Sequence, residues 1–362
     1  MSNSTFIIAE AGVNHNGSLD TALRLIDAAR AAGADAVKFQ TFKSESVISR
    51  QALKADYQVA TTGRGESQLE MVRKLELDVA AHLRLNEHCK SSGIRFLSTP
   101  FDEDSVDLLV DRLDVPLLKV PSGEITNGPL LLKIARTRKP AILSTGMSDL
   151  GDVETALGVL AFGYLNSDKG PGIDAFSEAY RSREGQTALA KNVTLLHCTT
   201  EYPAPFEDVH LRVMDTLRTA FGLPVGYSDH TPGIEVPVAA VARGAVIIEK
   251  HFTLDCRQEG PDHRASLEPA MLKAMVQAIR HTESSLGGHI KSVTPSEAKN
   301  RPIARKSLVA ARDIARGEIF TPQNLTAKRP GTGVSPMNFW RYLGEQSRRD
   351  YRADDLIDRH EN

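Results

Sequence analysis

Residues 224–253, PVGYSDHTPGIEVPVAAVARGAVIIEKHFT, contain two short apolar runs, PVGYSD from Pro224 and VIIEKH from Val246, each ending in polar side chains and separated by a helix-length segment. Runs that are apolar on both faces and alternate with helical stretches belong to a parallel sheet covered on both sides. The same unit recurs upstream, as FIIAEA from Phe6, AVKFQT from Ala36, RFLSTP from Arg95, LLKVPS from Leu117, AILSTG from Ala141 and VTLLHC from Val193. Together the runs number about eight, the strand count of a TIM barrel. The intervening segments have helical spacing. In LDTALRLIDAARAAGA, for example, Ala22, Leu25, Ile26 and Ala29 form one apolar stripe, expected to be core. The expected fold is therefore α/β, a (β/α)₈ barrel spanning residues 1–287.

A last amphipathic helix, about 268–286, ends that barrel, and the polar Gly- and Pro-punctuated stretch 288–303 reads as a linker. Residues 304–362 carry short strand-like pieces between turn residues and read as a small β-rich domain. At about 60 residues it is small for an independent core, so it is expected to pack on something else, with a partner subunit as the candidate. Two connections exceed the usual length in α/β units. The loop 43–68 follows strand 2 on the face where barrels hold their chemistry. The loop 163–191 precedes strand 6 at the opposite end, where stability or assembly is the expected role.

The balance of 44 Lys+Arg against 46 Asp+Glu leaves no broad footprint for a polyanion, which argues against a nucleic-acid partner. Lysines focused in a cleft can still hold a small anion. No signal-peptide pattern and no apolar run of about 20 residues is present, so a cytoplasmic protein with no membrane partner is expected. The three cysteines, Cys89, Cys198 and Cys256, are odd in number and far apart, which argues against a disulfide framework or a cysteine zinc site.

The C-terminal ends of the strands supply Glu10, then Lys38 and Gln40, Thr99, then Lys119, Ser122 and Glu124, Ser144 and Thr145, His197, Ser228 and His230, and Glu249 and His251. So many polar groups at one rim destabilise a barrel unless they bind ligand, metal or one another. Lys38 and Lys119, with the hydroxyls of Thr99, Ser122, Ser144 and Ser228, suit a small, multiply anionic ligand. His230 and His251 end adjacent strands, about 5 Å apart in backbone terms, and together point to a metal. With only two protein nitrogens evident, the site keeps open positions and suits Mn²⁺ first, with Mg²⁺ or Co²⁺ as alternatives, over a closed structural Zn²⁺. Glu10 and Glu124 stand where they can handle protons or hold sugar hydroxyls; an ion pair with Lys38 or Lys119 is their alternative employment. His197 and Cys198 are neighbours on one strand and point to opposite faces, so they do not form a nucleophile–base dyad.

The motifs AEAGVNHNGS, AVKFQT, STPFD, KVPSGE, ILSTGM, HCTTEYPAP, GYSDHT, EKHFT and GPDH, followed by KRPGTG, run in order along essentially the whole chain. In combination they resemble the bacterial sialic acid synthase family, whose C-terminal antifreeze-like (SAF) domain the last segment is similar to. The resemblance implies a metal-dependent condensation of phosphoenolpyruvate with an N-acetylmannosamine-type sugar, giving a nine-carbon 2-keto acid and phosphate. It implies His230 and His251 as metal ligands, and Lys38, Lys119, Ser122, Ser144 and Ser228 as the grip on phosphoenolpyruvate. Glu10, Gln40, Glu124, Tyr202 and Asp262 correspond to positions facing the acceptor or the reacting carbons. Arg329 corresponds to an arginine that reaches over the barrel of a second subunit, which implies a domain-swapped homodimer. The chain departs from the family at Thr200, where many members have Asn. The TTEYPAP form of that motif, with ADYQ and SQLEM after strand 2, favours a 2,4-diacetamido-2,4,6-trideoxymannose acceptor, and so legionaminic acid, over N-acetylmannosamine.

Three rival readings fit the sequence less well. A metal-dependent amidohydrolase is expected to show His-x-His at strand 1, and AEAGVN has none. A KDO- or DAHP-type synthase shares the barrel and the phosphoenolpyruvate but leaves the KRPG-bearing domain unexplained. An ice-binding or purely structural protein needs a flat, weakly charged face, against which stand Arg301, Arg305, Lys306, Arg312, Arg316, Lys328 and Arg329.

Overall fold

In a computed structural model, which describes residues 4–63, 65–166 and 168–359, the strands form where the apolar runs predict them. They are β1 (Phe6–Gly12), β2 (Ala36–Thr41), β3 (Arg95–Pro100), β4 (Leu118–Val120), β5 (Ala141–Ser144), β6 (Val193–His197), β7 (Val225–Asp229) and β8 (Ile247–His251). All pair in parallel in the order β3-β2-β1-β8-β7-β6-β5-β4, so β1 lies between β2 and β8 and the sheet curls into a nearly closed barrel. Strand β4 lies beside β3 at the remaining seam.

The strands are buried on both faces, as a sheet covered by helices requires. Ile8, Ala36, Leu97, Ile142, Leu196 and Ile247 fill the interior, while Ile7, Val37, Leu195, Tyr227 and Ile248 face the helical layer. Helix Leu19–Ala32 buries the predicted Ala22, Leu25, Ile26 and Ala29; Ser18 caps its start, and Gly33, at φ +86°, ends it in a conformation that other residues adopt at a cost.

Both predicted long loops contain helices, and the second is largely helical. The connection after β2 contains helices Ser44–Val47 and Asp56–Thr62 and leads into Gln68–Arg73. The stretch before β6 contains the end of Leu150–Leu165, then Ile173–Arg181 and Arg183–Asn192. Helix Ile173–Arg181 sets Phe176 against Phe162 with ring centroids 5.2 Å apart, a packing that its polar composition hides. Arg64 and Ser167, inside these two segments, and the first and last three positions of the chain lie outside the described residues.

The chain divides into Met1–Gly287 and Gly288–Asn362. In the second unit the polar stretch after 287 includes short helices Pro295–Ala298 and Arg301–Ala304. Strands β9 (Ser307–Ala310) and β10 (Leu325–Lys328) then pair antiparallel. Leu308, Ile314, Phe320, Leu325, Tyr342 and Tyr351 form that unit's own core. Among the described residues no helix is long and apolar enough to cross a membrane.

Candidate active site

Alternation along each strand turns Glu10, Lys38, Gln40, Lys119, Ser144, Ser228, Glu249 and His251 into one cavity of about 300 Å³ at the C-terminal end of the barrel, joined there by His230, which follows β7. Thr99, Ser122, Thr200, Tyr202 and Asp262 complete its polar lining. At the end of β1 the register shifts between Glu10 and Gly12. Gly12 sits at φ +52°, and a Cβ there would stand 3.4 Å from the His251 ring and 3.5 Å from Glu10 Oε1. These are ordinary contact distances, so it is the left-handed turn that favours glycine here.

The lysines are buried and point into the cavity. Lys38 Nζ donates to Thr99 Oγ1 at 3.0 Å and pairs with Glu10 Oε2 at 2.7 Å and Glu249 Oε2 at 3.5 Å. Lys119 Nζ donates to Ser144 Oγ at 2.7 Å and lies 3.7 Å from Glu249 Oε1, which also accepts from Ser228 Oγ at 2.8 Å. Two carboxylates and two ammoniums share one buried space, and their environments drive the pKa values of the carboxylates apart. Burial raises Glu10 to about 7, outweighing the attraction of Lys38. For Glu249 burial also pushes upward, but Lys119, Lys38 and the Ser228 hydroxyl outweigh it and hold the carboxyl well below the usual range. Burial pulls Lys119 down, whereas for Lys38 the neighbouring Glu10 and Glu249 win over burial and raise it.

His230 Nδ1 donates to the Thr199 carbonyl at 2.6 Å. A carbonyl only accepts, so Nδ1 carries the proton and Nε2 keeps a free lone pair. His251 Nδ1 is buried with no hydrogen-bond partner, 3.8 Å from Asp262 Oδ2. The rings lie with centroids 5.5 Å apart, and Tyr202 packs on His230 at 4.2 Å. Burial lowers both histidines, and for His251 the neighbouring His230 lowers it further, so both are neutral at pH 7. Neutral imidazoles with available nitrogens, one of them orphaned, fit a divalent cation. Among the described residues no group of three or more His, Cys, Asp or Glu side chains gathers as a metal cluster, so the pair would leave positions open to water or substrate. Asp262 is itself raised to about 6 by burial.

One expected residue stands apart from this cavity. Glu124 falls in the turn Ser122–Glu124 after β4, accepts from Asn127 Nδ2 at 2.7 Å, and is not part of the cavity wall. Arg329 belongs to the second unit, where its Nε donates to the Ala304 carbonyl at 3.0 Å. The alternation argument against a His197–Cys198 dyad holds: His197 Nε2 donates to the Val209 carbonyl at 2.7 Å, and Cys198 faces the cavity, 3.1 Å from Ser122 Oγ.

The structure adds residues that strand ends alone do not assign. Glu249 is the link between the two lysines. The helical segments after β2 bring Val47, Ile48, Gln58, Met71, Val72 and Leu75 over the mouth and make one wall apolar. Gln58 and Met71 come from the ADYQ and SQLEM motifs, which were the only signal for them.

Residues 25–291 match the NeuB family, and residues 305–359 match the SAF domain. The chain belongs to the NeuB family. Among NeuB relatives, the N,N'-diacetyllegionaminic acid synthase of Campylobacter jejuni is 53% identical over 98% of this chain and 98% of its own length. The enzyme of the same name from Legionella pneumophila is 44% identical over 94% of this chain and 90% of its own. Of solved NeuB-like structures, the N-acetylneuraminic acid synthetase of Leptospira borgpetersenii, in complex with citrate, superposes with a TM-score of 0.65 at 33% identity, covering 82% of this chain and 90% of its own. The expected TIM barrel followed by a small β-rich SAF domain is thus the fold of this NeuB chain.

Proposed function

We propose that this chain condenses phosphoenolpyruvate with an amino-sugar aldehyde, 2,4-diacetamido-2,4,6-trideoxymannose before N-acetylmannosamine, to give a nonulosonic acid and phosphate. The observation that carries this reading is the division of one cavity into a cationic side, Lys38 and Lys119 with their hydroxyls, and a neutral side, His230 and His251 with available nitrogens. The relatives named as N,N'-diacetyllegionaminic acid synthases support the acceptor, as does the apolar wall at the mouth, which suits the acetyl methyls and the 6-methyl of such a sugar.

Lys38 and Lys119 neutralise the carboxylate and phosphate of phosphoenolpyruvate, while Thr99, Ser122, Ser144 and Ser228 orient them through hydroxyl hydrogen bonds. Gln40, Thr200, Tyr202 and Asp262 face the acceptor. His230 and His251 would hold a divalent cation, Mn²⁺ first and Mg²⁺ or Co²⁺ as alternatives, which supplies Lewis-acid polarisation of the sugar carbonyl. C3 of phosphoenolpyruvate attacks the aldehyde carbon, the carbonyl π electrons pass to its oxygen, which takes up a proton to become a hydroxyl, and positive charge develops at C2. Glu10, which a pKa near 7 suits for general base work, takes a proton from the water that adds at C2, and phosphate then leaves from the tetrahedral carbon. Glu124, outside the cavity wall and bonded to the helix-capping Asn127, is given no part in the proton transfer.

In this reading residues 1–287 are the catalytic barrel, 288–303 the linker and 304–362 the antifreeze-like domain. Arg329 acts on the acceptor held by a second copy in a domain-swapped homodimer. Its rivals, another phosphoenolpyruvate-condensing synthase or a non-catalytic ice-binding protein, separate in one assay. Purified protein with Mn²⁺ and phosphoenolpyruvate should release phosphate with the diacetamido sugar and more slowly with N-acetylmannosamine. Folded protein that releases none with either sugar contradicts the proposal.

A further inference from the structure

Behind the histidine pair, on the outward side of β7 and β8, lies an ion pair between Asp229 and Lys250 in which both side chains are wholly buried. Outward neighbours on these strands, Tyr227 and Ile248, are core residues packed toward the helices, so charges at this layer are out of place. Burying an ion pair gains little stability over an apolar pair of like volume, and often less. Its contacts suggest another purpose. Asp229 and Lys250 are register partners. Lys250 Nζ donates both to Asp229 Oδ2 and to the carbonyl of Thr231. Thr231 in turn donates to Asp229 Oδ1 through its backbone N–H at 3.2 Å and its hydroxyl at 2.9 Å. His230 therefore sits between two residues bound to the same ammonium, and His251 is the residue that follows that ammonium in the chain.

We infer that Asp229, Lys250 and Thr231 are positioning residues that lock the ends of β7 and β8 together, so that His230 and His251 present their nitrogens at one fixed separation to a divalent cation. The inference rests on the metal reading given above. Two ligands on separate strands chelate one ion only if their backbones do not slide, and the β7–β8 ladder has its last registered pair at Asp229 and Lys250, just before the histidines. The clamp continues the connection where regular pairing stops. Outer contacts that orient metal-binding imidazoles are typically worth about 10- to 100-fold in metal affinity.

The test uses the full-length double variant Asp229→Asn/Lys250→Met, which removes both charges at nearly constant volume. Mn²⁺ binding is measured by calorimetry and by electron paramagnetic resonance, beside the melting temperature and the KM for phosphoenolpyruvate. The clamp predicts a folded protein whose Mn²⁺ affinity falls about tenfold or more, with the phosphoenolpyruvate KM little changed because Lys38, Lys119 and Ser144 are untouched. A variant that binds Mn²⁺ as tightly as the wild type overturns the inference, and so does equal weakening of Mn²⁺ and phosphoenolpyruvate, which marks a general loss of structure. Should the double variant fail to fold, Thr231→Val removes one strut without changing charge; it should weaken Mn²⁺ severalfold, and unchanged affinity there is equally fatal. Wild-type protein that binds phosphoenolpyruvate but no Mn²⁺ would instead overturn the metal reading, and the clamp with it.

Discussion

Replacing Glu249 by Gln isolates the charge balance of the site. Glu249 lies 3.5 Å from Lys38 Nζ and 3.7 Å from Lys119 Nζ, with its side chain 5% exposed. At an effective dielectric of about 20, each contact is a gross attraction of roughly 4–5 kcal/mol. The carboxylate's own desolvation offsets much of this. Lys38 keeps Glu10, but Lys119 loses the only carboxylate within salt-bridge distance among the described residues. Leaving a buried charge without its partner costs about 3–5 kcal/mol; burial already lowers Lys119, which eases loss of its proton and favours the lower end of that range. At about 2 °C per kcal/mol for a large domain, the ligand-free variant should melt about 6 °C lower. Phosphoenolpyruvate would supply the missing negative charge, so saturating ligand should raise the melting temperature of the variant more than that of the wild type. Thermal melts with and without phosphoenolpyruvate decide it: equal melting temperatures without ligand, or a deficit that ligand leaves intact, refute the reasoning.

Three further outcomes are expected. Glu10 must be ionised to accept a proton, and its pKa lies near 7, so kcat/KM should fall as pH drops through about 7; a profile flat from pH 6 to 8 removes it as the base. A Cβ at Gly146 would meet Thr200 Oγ1 at 2.2 Å and Ser122 Oγ at 2.7 Å. Gly146→Ala should therefore displace Ser122 and raise the KM for phosphoenolpyruvate by about tenfold, as loss of one hydrogen bond to a charged group does, and titration with the ligand checks this. Mixing Arg329→Ala subunits with His251→Ala subunits should restore activity that neither has alone if the arginine serves a second copy's barrel; absence of complementation contradicts the swapped arrangement.

The barrel was legible because burial on both faces writes a strand as a continuous apolar run. Strands β2 and β3 occupy the runs AVKFQT and RFLSTP from end to end. The run LLKVPS yields only Leu118–Val120, because the chain turns at Ser122–Glu124 directly after Pro121. The helices at 173–192 were missed because their polar faces and flanking glycines look like loop, and only packing such as Phe176 on Phe162 reveals them. In the site, strand ends pointed to Lys38, Lys119, His230 and His251 because charge is costly there. The bridge made by Glu249 depends on distances across three strands, and the Asp229–Lys250 clamp on a register that a single sequence does not display.

The most direct measurement follows the carbon. With phosphoenolpyruvate labelled with ¹³C at C3, the diacetamido sugar and Mn²⁺, carbon NMR should show the label passing from a vinyl carbon to the C3 methylene of a nine-carbon 2-keto acid, with one phosphate released per label transferred. Both signals should vanish in His230→Ala and His251→Ala proteins that remain folded. Phosphate release without the new carbon–carbon bond, or full transfer in either histidine variant, would contradict the account.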